Sequence, residues 1–330
     1  MNEFDLIARH FTRTPPAGSV VAQGVGDDCA LLDLGDRQFA VTSDLLLEGR
    51  HFFPDVDPEA LGHKALAVNL SDLAAAGSTP RAFFLALALP RADDAWLAAF
   101  ARGLFALADR HGCVLAGGDT TRTPTVETRP GPLTICITAL GEVPRGLAHT
   151  RAGARAGDEL YVSGSVGEAG LALAARAGET TLDFVDAAAV QARLDRPEPR
   201  VALGVALRGV ASSCMDVSDG LLGDLNHICA RSQVGAQVDW SALPRAPALQ
   251  RQPIELQQRC ALAGGDDYEL LFTAPPTQRH AVQAAARRAG VAVTRIGRIV
   301  EAAVTQGRAQ ALDADGRPLA GRFASYDHFA

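Results

Sequence analysis

Apolar positions recur along this chain with two periods, and most of the predicted elements follow from them. Phe4, Ile7, Ala8 and Phe11 stand at helical spacing, and Thr14-Pro-Pro-Ala-Gly18 ends that helix. Apolar runs over 28–33 and 38–43, parted by Gly35-Asp36, predict two strands. The second ends in Thr42-Ser43-Asp44, which places an acid at a strand end. Asp57-Pro58 is a helix start, with Asp as N-cap and Pro at the first helical position. That helix runs through Leu61, Lys64, Ala65, Val68 and Asn69 to about Ala76, and Gly77 stops it. Asp72 sits in its C-terminal half among small residues, which permit close approach by other backbone or by a ligand. A strand over 81–89 follows, then a helix from about 93 to 111. A strand over 113–116 leads into Gly117-Gly-Asp-Thr-Thr-Arg122, and 133–140 alternates with the period of a strand.

Residues 144–157 are loop-like and basic, with Arg145, Arg151 and Arg155, and the domain boundary is placed here, giving 1–145 and 146–330. A strand over 159–163 leads through Gly164 and Gly167 into an Ala/Leu-rich helix ending near Gly178. Pro197-Glu-Pro199 precedes a helix over 200–208, and a strand over 213–217 carries Asp216-Val-Ser-Asp-Gly220 at its end. A helix from 221 to about 231, strands near 236–240, 268–274 and 291–299, and a helix over about 277–289 complete the pattern. The mixture is α/β or α+β, not a purely parallel sheet. Two short echoes hint at related halves: Thr42-Ser-Asp-Leu-Leu46 with Val217-Ser-Asp-Gly-Leu-Leu222, and Gly117-Gly-Asp-Thr120 with Gly264-Gly-Asp-Asp267.

Composition narrows the function classes. A chain of 330 residues with 48% hydrophobic and 21% charged residues holds two packed domains and is not disordered. A net charge of −7 argues against a nucleic-acid surface, which needs a basic face. Cys29, Cys113, Cys136, Cys214, Cys229 and Cys260 form no C-x-x-C pair and read as reduced core residues. The N-terminus lacks the basic and long apolar regions of a signal peptide, and the run over 82–89 is too short to span a bilayer. A soluble, cytoplasmic protein without membrane contact is expected.

The candidate chemistry lies in seven stretches of one design, an acid or hydroxyl beside Gly, Ser or Ala: Asp27-Asp28, Thr42-Ser43-Asp44, Asp72, Gly118-Asp119-Thr120, Asp216, Ser218-Asp219 and Asp266-Asp267. Each alone reads first as a turn. Turns and caps use Asn as readily as Asp, yet all seven keep a carboxylate. Carboxylates without matching His or Cys select Mg²⁺ or Mn²⁺ over zinc. Several such ions imply a polyphosphate ligand, whose oxygens complete their shells. The chain has no G-x-x-x-x-G-K-[ST] loop. ATP would therefore be held by metal bridging and by glycine amides at Gly117-Gly118 and Gly264-Gly265. Arg122 and Arg151 read equally as phosphate clamps and as ordinary surface arginines. His51, beside Phe52-Phe53, reads equally as a substrate contact and as a surface histidine. Tyr161 reads as core, and Tyr326-Asp-His-Phe329 as an aromatic tail docked on the core or over the site.

Taken in order, Glu3-Phe-Asp-Leu-Ile-Ala-Arg9, Gly26-Asp-Asp-Cys-Ala-Leu-Leu32, Lys64-Ala-Leu-Ala-Val-Asn-Leu-Ser-Asp-Leu-Ala74, Gly117-Gly-Asp-Thr-Thr-Arg122, Asp216-Val-Ser-Asp-Gly-Leu221, Gly264-Gly-Asp-Asp-Tyr-Glu-Leu270 and Tyr326-Asp-His-Phe329 resemble the thiamine-monophosphate kinase family. Its superfamily also holds aminoimidazole ribonucleotide synthetase, selenophosphate synthetase and a hydrogenase-maturation protein. The resemblance implies two α/β domains: 1–145, which binds metal and ATP and forms a homodimer through its sheet, and 146–330. It implies Asp28, Thr42, Ser43, Asp44, Asp72, Asp119, Asp216 and Asp219 as Mg²⁺ ligands. It implies Gly118, Asp119, Arg151 and Ser218 as ATP contacts, and His51, Asp266 and Tyr326 as contacts of thiamine monophosphate. Asp27 is left to support the loop or to reach a metal through water. K⁺ is a further candidate cation. The family often has Glu at the position of Asp266, and some members have Trp at that of Tyr326.

The implied reaction is in-line transfer of the γ-phosphate of ATP to the phosphate of thiamine monophosphate, giving thiamine diphosphate and ADP. The second pKa of a phosphomonoester is about 6, so the acceptor is already ionised and no general base or phosphoenzyme is expected. Two rival readings are an amidine-forming synthetase of the same superfamily and a nucleotide- or metal-binding protein without turnover.

Overall fold

The computed structural model describes residues 3–126, 129–321 and 323. In chain order the first part comprises α1 (Glu3–His10), β1 (Val21–Gln23), β2 (Ala30–Leu34), β3 (Arg37–Leu47), α2 (Pro58–Ala75), β4 (Thr79–Leu89), α3 (Asp94–His111), β5 (Val114–Arg122), the short pair β6 (Thr125–Val126) and β7 (Arg129–Pro130), and β8 (Thr134–Val143). Six of these strands form one sheet in the order β1-β2-β3-β8-β4-β5. The β4–β5 pair is parallel, and the other neighbours are antiparallel.

The second part comprises β9 (Glu159–Ser163), α4 (Glu168–Arg176), α5 (Phe184–Asp195), α6 (Val201–Ala206), β10 (Ser213–Asp216), α7 (Leu221–Ser232), β11 (Val234–Asp239), α8 (Pro247–Gln250), α9 (Ile254–Ala263), β12 (Leu270–Ala274), α10 (Arg279–Ala289), β13 (Val293–Glu301), α11 (Ala302–Thr305) and β14 (Ala309–Leu312). Its sheet runs β10-β12-β9-β13-β11-β14, antiparallel except for β11–β14. The expected α/β mixture is present in both parts.

α2 is the central helix. The Asp57 carboxylate accepts from the amides of Glu59 and Ala60, both at 3.3 Å, and Pro58 opens the first turn. The sequence 58–75 has no polar face to spare, and almost every turn of the helix is buried. A helix with no side left for solvent belongs in an interior, and its few polar side chains, Lys64, Asn69 and Ser71 among them, are buried with it. Here it lies between the first sheet with α3 and, on its other side, α5, α6, β10 and β12.

The core is continuous across the two parts. β9, β10 and β12 are buried along their whole length, so both faces of that sheet are covered. Their residues alternate between two apolar clusters. Tyr161, Cys214, Leu270 and Phe272 join the cluster that holds α2 and the first sheet. Leu160, Val162, Met215 and Leu271 join a second cluster with α4, α7 and α9. Tyr161 is core as expected, stacked on Phe272 with ring centroids 5.3 Å apart.

Four features differ from the sequence reading. β3 does not stop at Asp44: Leu45, Leu46 and Leu47 continue its ladder opposite Cys136, Ile135 and Thr134. Pairing with a ten-residue neighbour overrides the acid as a strand terminator. The strand expected over 113–116 does not end there: Gly117-Gly118-Asp119 is part of β5, in register with Phe84, Leu85 and Ala86 of β4. α5 and α9 were not predicted, because their periodicity is weak: α5 buries only Val190 and Leu194, and exposes Phe184 and Val185 at its start. The two Gly-Gly-Asp echoes also have different structures, an edge strand and a loop. All six cysteines are free, five of them buried. Among the described residues no helix is long and apolar enough to cross a membrane.

Candidate metal and phosphate site

Between the two parts lies a cleft of about 780 Å³. Asp44, Asp72, Asp216 and Asp219 line one end of it. Lys64, Asp266, Tyr268, His51 and Phe53 also line it, and Leu173, Ala174 and Ala177, at and just beyond the end of α4, give it an apolar wall.

The acidic end is assembled from four separate elements. Asp28 stands on the loop before β2, Asp44 on β3, Asp72 near the end of α2 and Asp216 at the end of β10. Oxygens of Asp28, Asp72 and Asp216 lie within 4.8 Å of one another. Hydroxyls hold two of these acids in place. Ser71 donates to Asp216 Oδ2 at 2.5 Å, and Thr42 donates to Asp72 Oδ2. Arg151 donates to Asp28 Oδ1 from Nη2 at 2.5 Å and from Nε at 3.2 Å. The other Asp28 oxygen, Oδ2, is buried and has no hydrogen-bond partner.

Burial and mutual repulsion raise the proton affinity of the whole group. Asp44 is pushed up to about 6 by burial, then by Asp28 and Asp219. Asp216 is pushed up to about 7 by burial and by Asp28, against the Ser71 hydrogen bond. Asp72 is raised well above the carboxylate range, by burial first and then by Asp44, Asp216 and Asp28. Asp28 is raised by burial despite Arg151. Clustered acids that cannot ionise together, with one oxygen buried and unpartnered, suit a hard divalent cation.

Asp27 has a different task. Both its oxygens accept from the Arg151 amide, at 3.1 and 3.2 Å, and Oδ1 also accepts from the Asp28 amide at 3.1 Å. It ties the loop before β2 to the segment joining the two sheets. Asp267 is likewise inward-facing: it is buried and accepts the Gly167 amide with both oxygens, at 2.8 and 3.0 Å.

Ser43 and Asp119 do not join the acidic end. Strand alternation turns Ser43 to the sheet face opposite Thr42 and Asp44, where its Oγ lies 2.9 Å from Thr138 Oγ1. Asp44 is in register with Ile137, which pairs with Leu85, which pairs with Gly118. At strand spacing that puts β5 about 14 Å from β3. Asp119 is exposed there, and its Oδ1 accepts the Thr120 amide at 2.9 Å. Gly118 has a structural reason to be glycine: φ is +156°, and a Cβ would lie 1.8 Å from the Leu85 carbonyl oxygen.

The remaining predicted residues line the cleft, with two exceptions. Ser218 and Asp219 border it before α7. His51 borders it too, its Nδ1 accepting the Leu47 amide at 2.9 Å. Asp266 sits at φ +63°, accepts from the Tyr268 hydroxyl at 3.0 Å and lies 3.4 Å from Lys64 Nζ. Its neighbour Gly265 is pressed against the Ser218 carbonyl, 2.2 Å from where a Cβ would stand. Non-glycine residues at positive φ persist where surrounding structure holds them, often at ligand sites. Arg151 pairs with Asp28 and is not among the cleft-lining side chains. Tyr326 and the rest of the closing aromatic cluster lie outside the described residues.

Sequence reasoning passed over three contributors. Asp224, in the first turn of α7, accepts the amides of Ser218, Asp219 and Gly220 at 3.1 to 3.2 Å and so shapes the loop bordering the cleft. Its signal was an acid just inside a glycine-started helix. Ser71 had none, being one hydroxyl in a small-residue helix. Lys64 had a clear one: it is the only lysine in the chain.

Comparison with known proteins adds independent findings. Residues 26–143 match the family model described as AIR synthase related protein, N-terminal domain, and residues 155–309 match AIR synthase related protein, C-terminal domain. The chain is 44% identical over 332 residues to the thiamine-monophosphate kinase of Escherichia coli strain K12, covering 99% of this chain and 98% of that one. The crystal structure of thiamine-monophosphate kinase from Stenotrophomonas maltophilia K279a superposes with a TM-score of 0.78 at 44% identity, covering 92% of this chain and 93% of that one. AaThiL complexed with AMPPCP and TMP superposes with a TM-score of 0.80 at 30% identity, covering 99% and 97%.

Proposed function

The chain belongs to the AIR synthase related family and, within it, to the thiamine-monophosphate kinases, and from that premise we propose how its cleft performs their reaction. The reaction transfers the γ-phosphate of ATP to the phosphate of thiamine monophosphate, giving thiamine diphosphate and ADP. The observation that carries the assignment of the site is the convergence of Asp28, Asp72 and Asp216 within 4.8 Å, with Asp28 Oδ2 buried and unpartnered.

Asp28, Asp44, Asp72, Asp216 and Asp219 would hold Mg²⁺, with Thr42 and Ser71 orienting two of them. Bound Mg²⁺ neutralises the repulsion between donor and acceptor phosphates. The chain's own part is positioning. Asp224 fixes the amides of residues 218–220, and the Ser218 carbonyl accepts from the Asp266 amide at 2.8 Å. The donor-side loop is thereby linked to the loop carrying Asp266. His51, Asp266 and Tyr326 would contact thiamine monophosphate, and the apolar wall of the cleft would receive its thiamine end. Arg151, set beside Asp28, would turn to the nucleotide phosphates as metal replaces it. The acceptor phosphate is ionised at neutral pH, so no side chain need remove a proton.

The outer face of the first sheet supports a homodimer. Leu45, Phe84 and Val114 are 57%, 44% and 65% exposed, and β5 is an open edge. Exposed apolar positions on one sheet face are a pairing surface. A role for Ser43, Gly118 and Asp119 in holding metal or ATP then requires groups from a second copy. In the same reading the chain divides near residues 145 and 146, works in the cytoplasm, and takes K⁺ as a further cation beside Mg²⁺. Incubation with ATP, Mg²⁺ and thiamine monophosphate, read by mass spectrometry, tests the reading. Thiamine diphosphate is expected; its absence from folded protein overturns the assignment.

A further inference from the structure

Among 31 lysine and arginine residues in this chain, Lys64 is the one lysine. Wherever else a strong cation is used, it is a guanidinium. The single ammonium is also a buried one, 3% exposed, with its Nζ 3.4 Å from Asp266 Oδ2 on the wall of the cleft. Burying an ammonium costs several kcal/mol, so a position that keeps one needs a return for it. An ammonium differs from a guanidinium in being a compact point charge with three rotatable donors on an unbranched stem. It fits a narrow site where a rigid planar fork does not.

Its place on α2 says what it faces. Lys64, Val68 and Asp72 stand at four-residue intervals, share one side of the helix, and all line the cleft. Eight residues at about 1.5 Å each put Lys64 roughly 12 Å from Asp72 along the axis. One rigid helix thus carries a metal-seeking carboxylate at the donor end and a fixed positive charge at the acceptor end. An anionic acceptor entering an acidic cleft needs such a charge. Asp266, held by Tyr268, keeps the ammonium partnered while the acceptor position is empty.

We propose that Lys64 is the substrate contact that selects a phosphorylated acceptor: its ammonium donates to a non-reacting oxygen of the thiamine monophosphate phosphate. This rests on the reading of the cleft given above and adds to it the discrimination between thiamine monophosphate and thiamine. The chain's composition makes the test direct, since incorporation of ε-¹⁵N-lysine yields one ammonium signal. In wild-type protein with Mg²⁺, that signal is expected to move on addition of thiamine monophosphate and to stay in place with thiamine. Lys64→Met keeps the length and removes the charge. It should raise KM for thiamine monophosphate roughly 10–100-fold, the range for a hydrogen bond between charged groups, and leave KM for ATP within about twofold. Lys64→Arg should recover part of that loss. A signal unmoved by saturating thiamine monophosphate, or an unchanged KM in folded Lys64→Met, overturns the proposal. The spectrum of the wild type decides the matter even if the variants do not fold. Failure of wild-type protein to form thiamine diphosphate would instead strike the assignment of the site, so the two failures are distinct.

Discussion

Ser43 and Asp44 are consecutive in β3 and serve opposite faces of one sheet. Ser43 Oγ meets Thr138 on the outer face, while Asp44 lines the cleft. Asp44→Asn keeps the shape and removes a charge from the acidic end. A supporting residue around a metal typically costs 10–100-fold when removed, so loss of a direct ligand should lower kcat/KM by at least about 100-fold. Ser43→Ala should change the Mg²⁺ dependence of the dissociated chain by less than about threefold on the same scale, because its hydroxyl faces away from the acidic end. Steady-state kinetics against Mg²⁺ concentration would show both. Equal losses in the two variants would remove the division between faces.

Asp44 and Asp216 are held near about 6 and about 7 by burial and by Asp28. Both values lie above those of the unfolded chain. Their contribution to stability is therefore complete below the ordinary carboxylate range and is lost as pH rises through about 6 and 7. The Tm of the metal-free protein should fall between about pH 5 and about pH 8. Because ligands must lose protons to bind metal, Mg²⁺ should raise Tm more at about pH 8 than at about pH 5. Calorimetry at the two pH values checks this, and an equal Mg²⁺ effect at both would count against these acids as ligands.

Phe84 lies at the middle of the exposed apolar face, in register with Thr138 on one side and Gly117 on the other. Phe84→Glu should convert the proposed two-chain particle into single chains, read as a halving of mass by light scattering. Unchanged mass in a folded variant would move the dimer contact off this face.

Asp224 has one oxygen shared by three amides. Asp224→Asn keeps the size but weakens charge-assisted hydrogen bonds, at a cost of about 1–3 kcal/mol in stability. The loss should appear both in denaturant unfolding and as a rise in KM for ATP, since the loop it shapes borders the donor end. A stability loss with unaltered KM would make Asp224 a residue of the fold alone.

Much of this molecule could be read before its coordinates. The start of α2 was legible because Asp57-Pro58 is a local signal, complete within four residues. The acids at 28, 44, 72 and 216 were legible as a class, from a shared local design. Their separation into an inner group and an outer one was not, because the face a residue takes depends on strand register. Register depends on β8, nearly a hundred residues away. The strand expected to stop at Ala116 runs on through Gly117-Gly118 for the same reason: its parallel partner, β4, lies far away in sequence. α5 stayed hidden because a helix that buries two side chains leaves little periodicity. Asp267 and Asp266 are adjacent and alike on paper. The Gly167 amide on one and the Lys64 ion pair of the other tell them apart.

Phe272 and Phe83 belong to one apolar cluster although they come from different sheets. The second part keeps an apolar cluster of its own, but the sheet face that carries Tyr161 and Phe272 shares its interior with the first part. A hinge between them would have to part that shared cluster. Heat should dissolve both sheets in a single transition. A fragment cut near residue 145 would leave α2 with half its neighbours missing and an oily flank exposed to water. Such a protein gains or loses its catalytic cleft only as a whole.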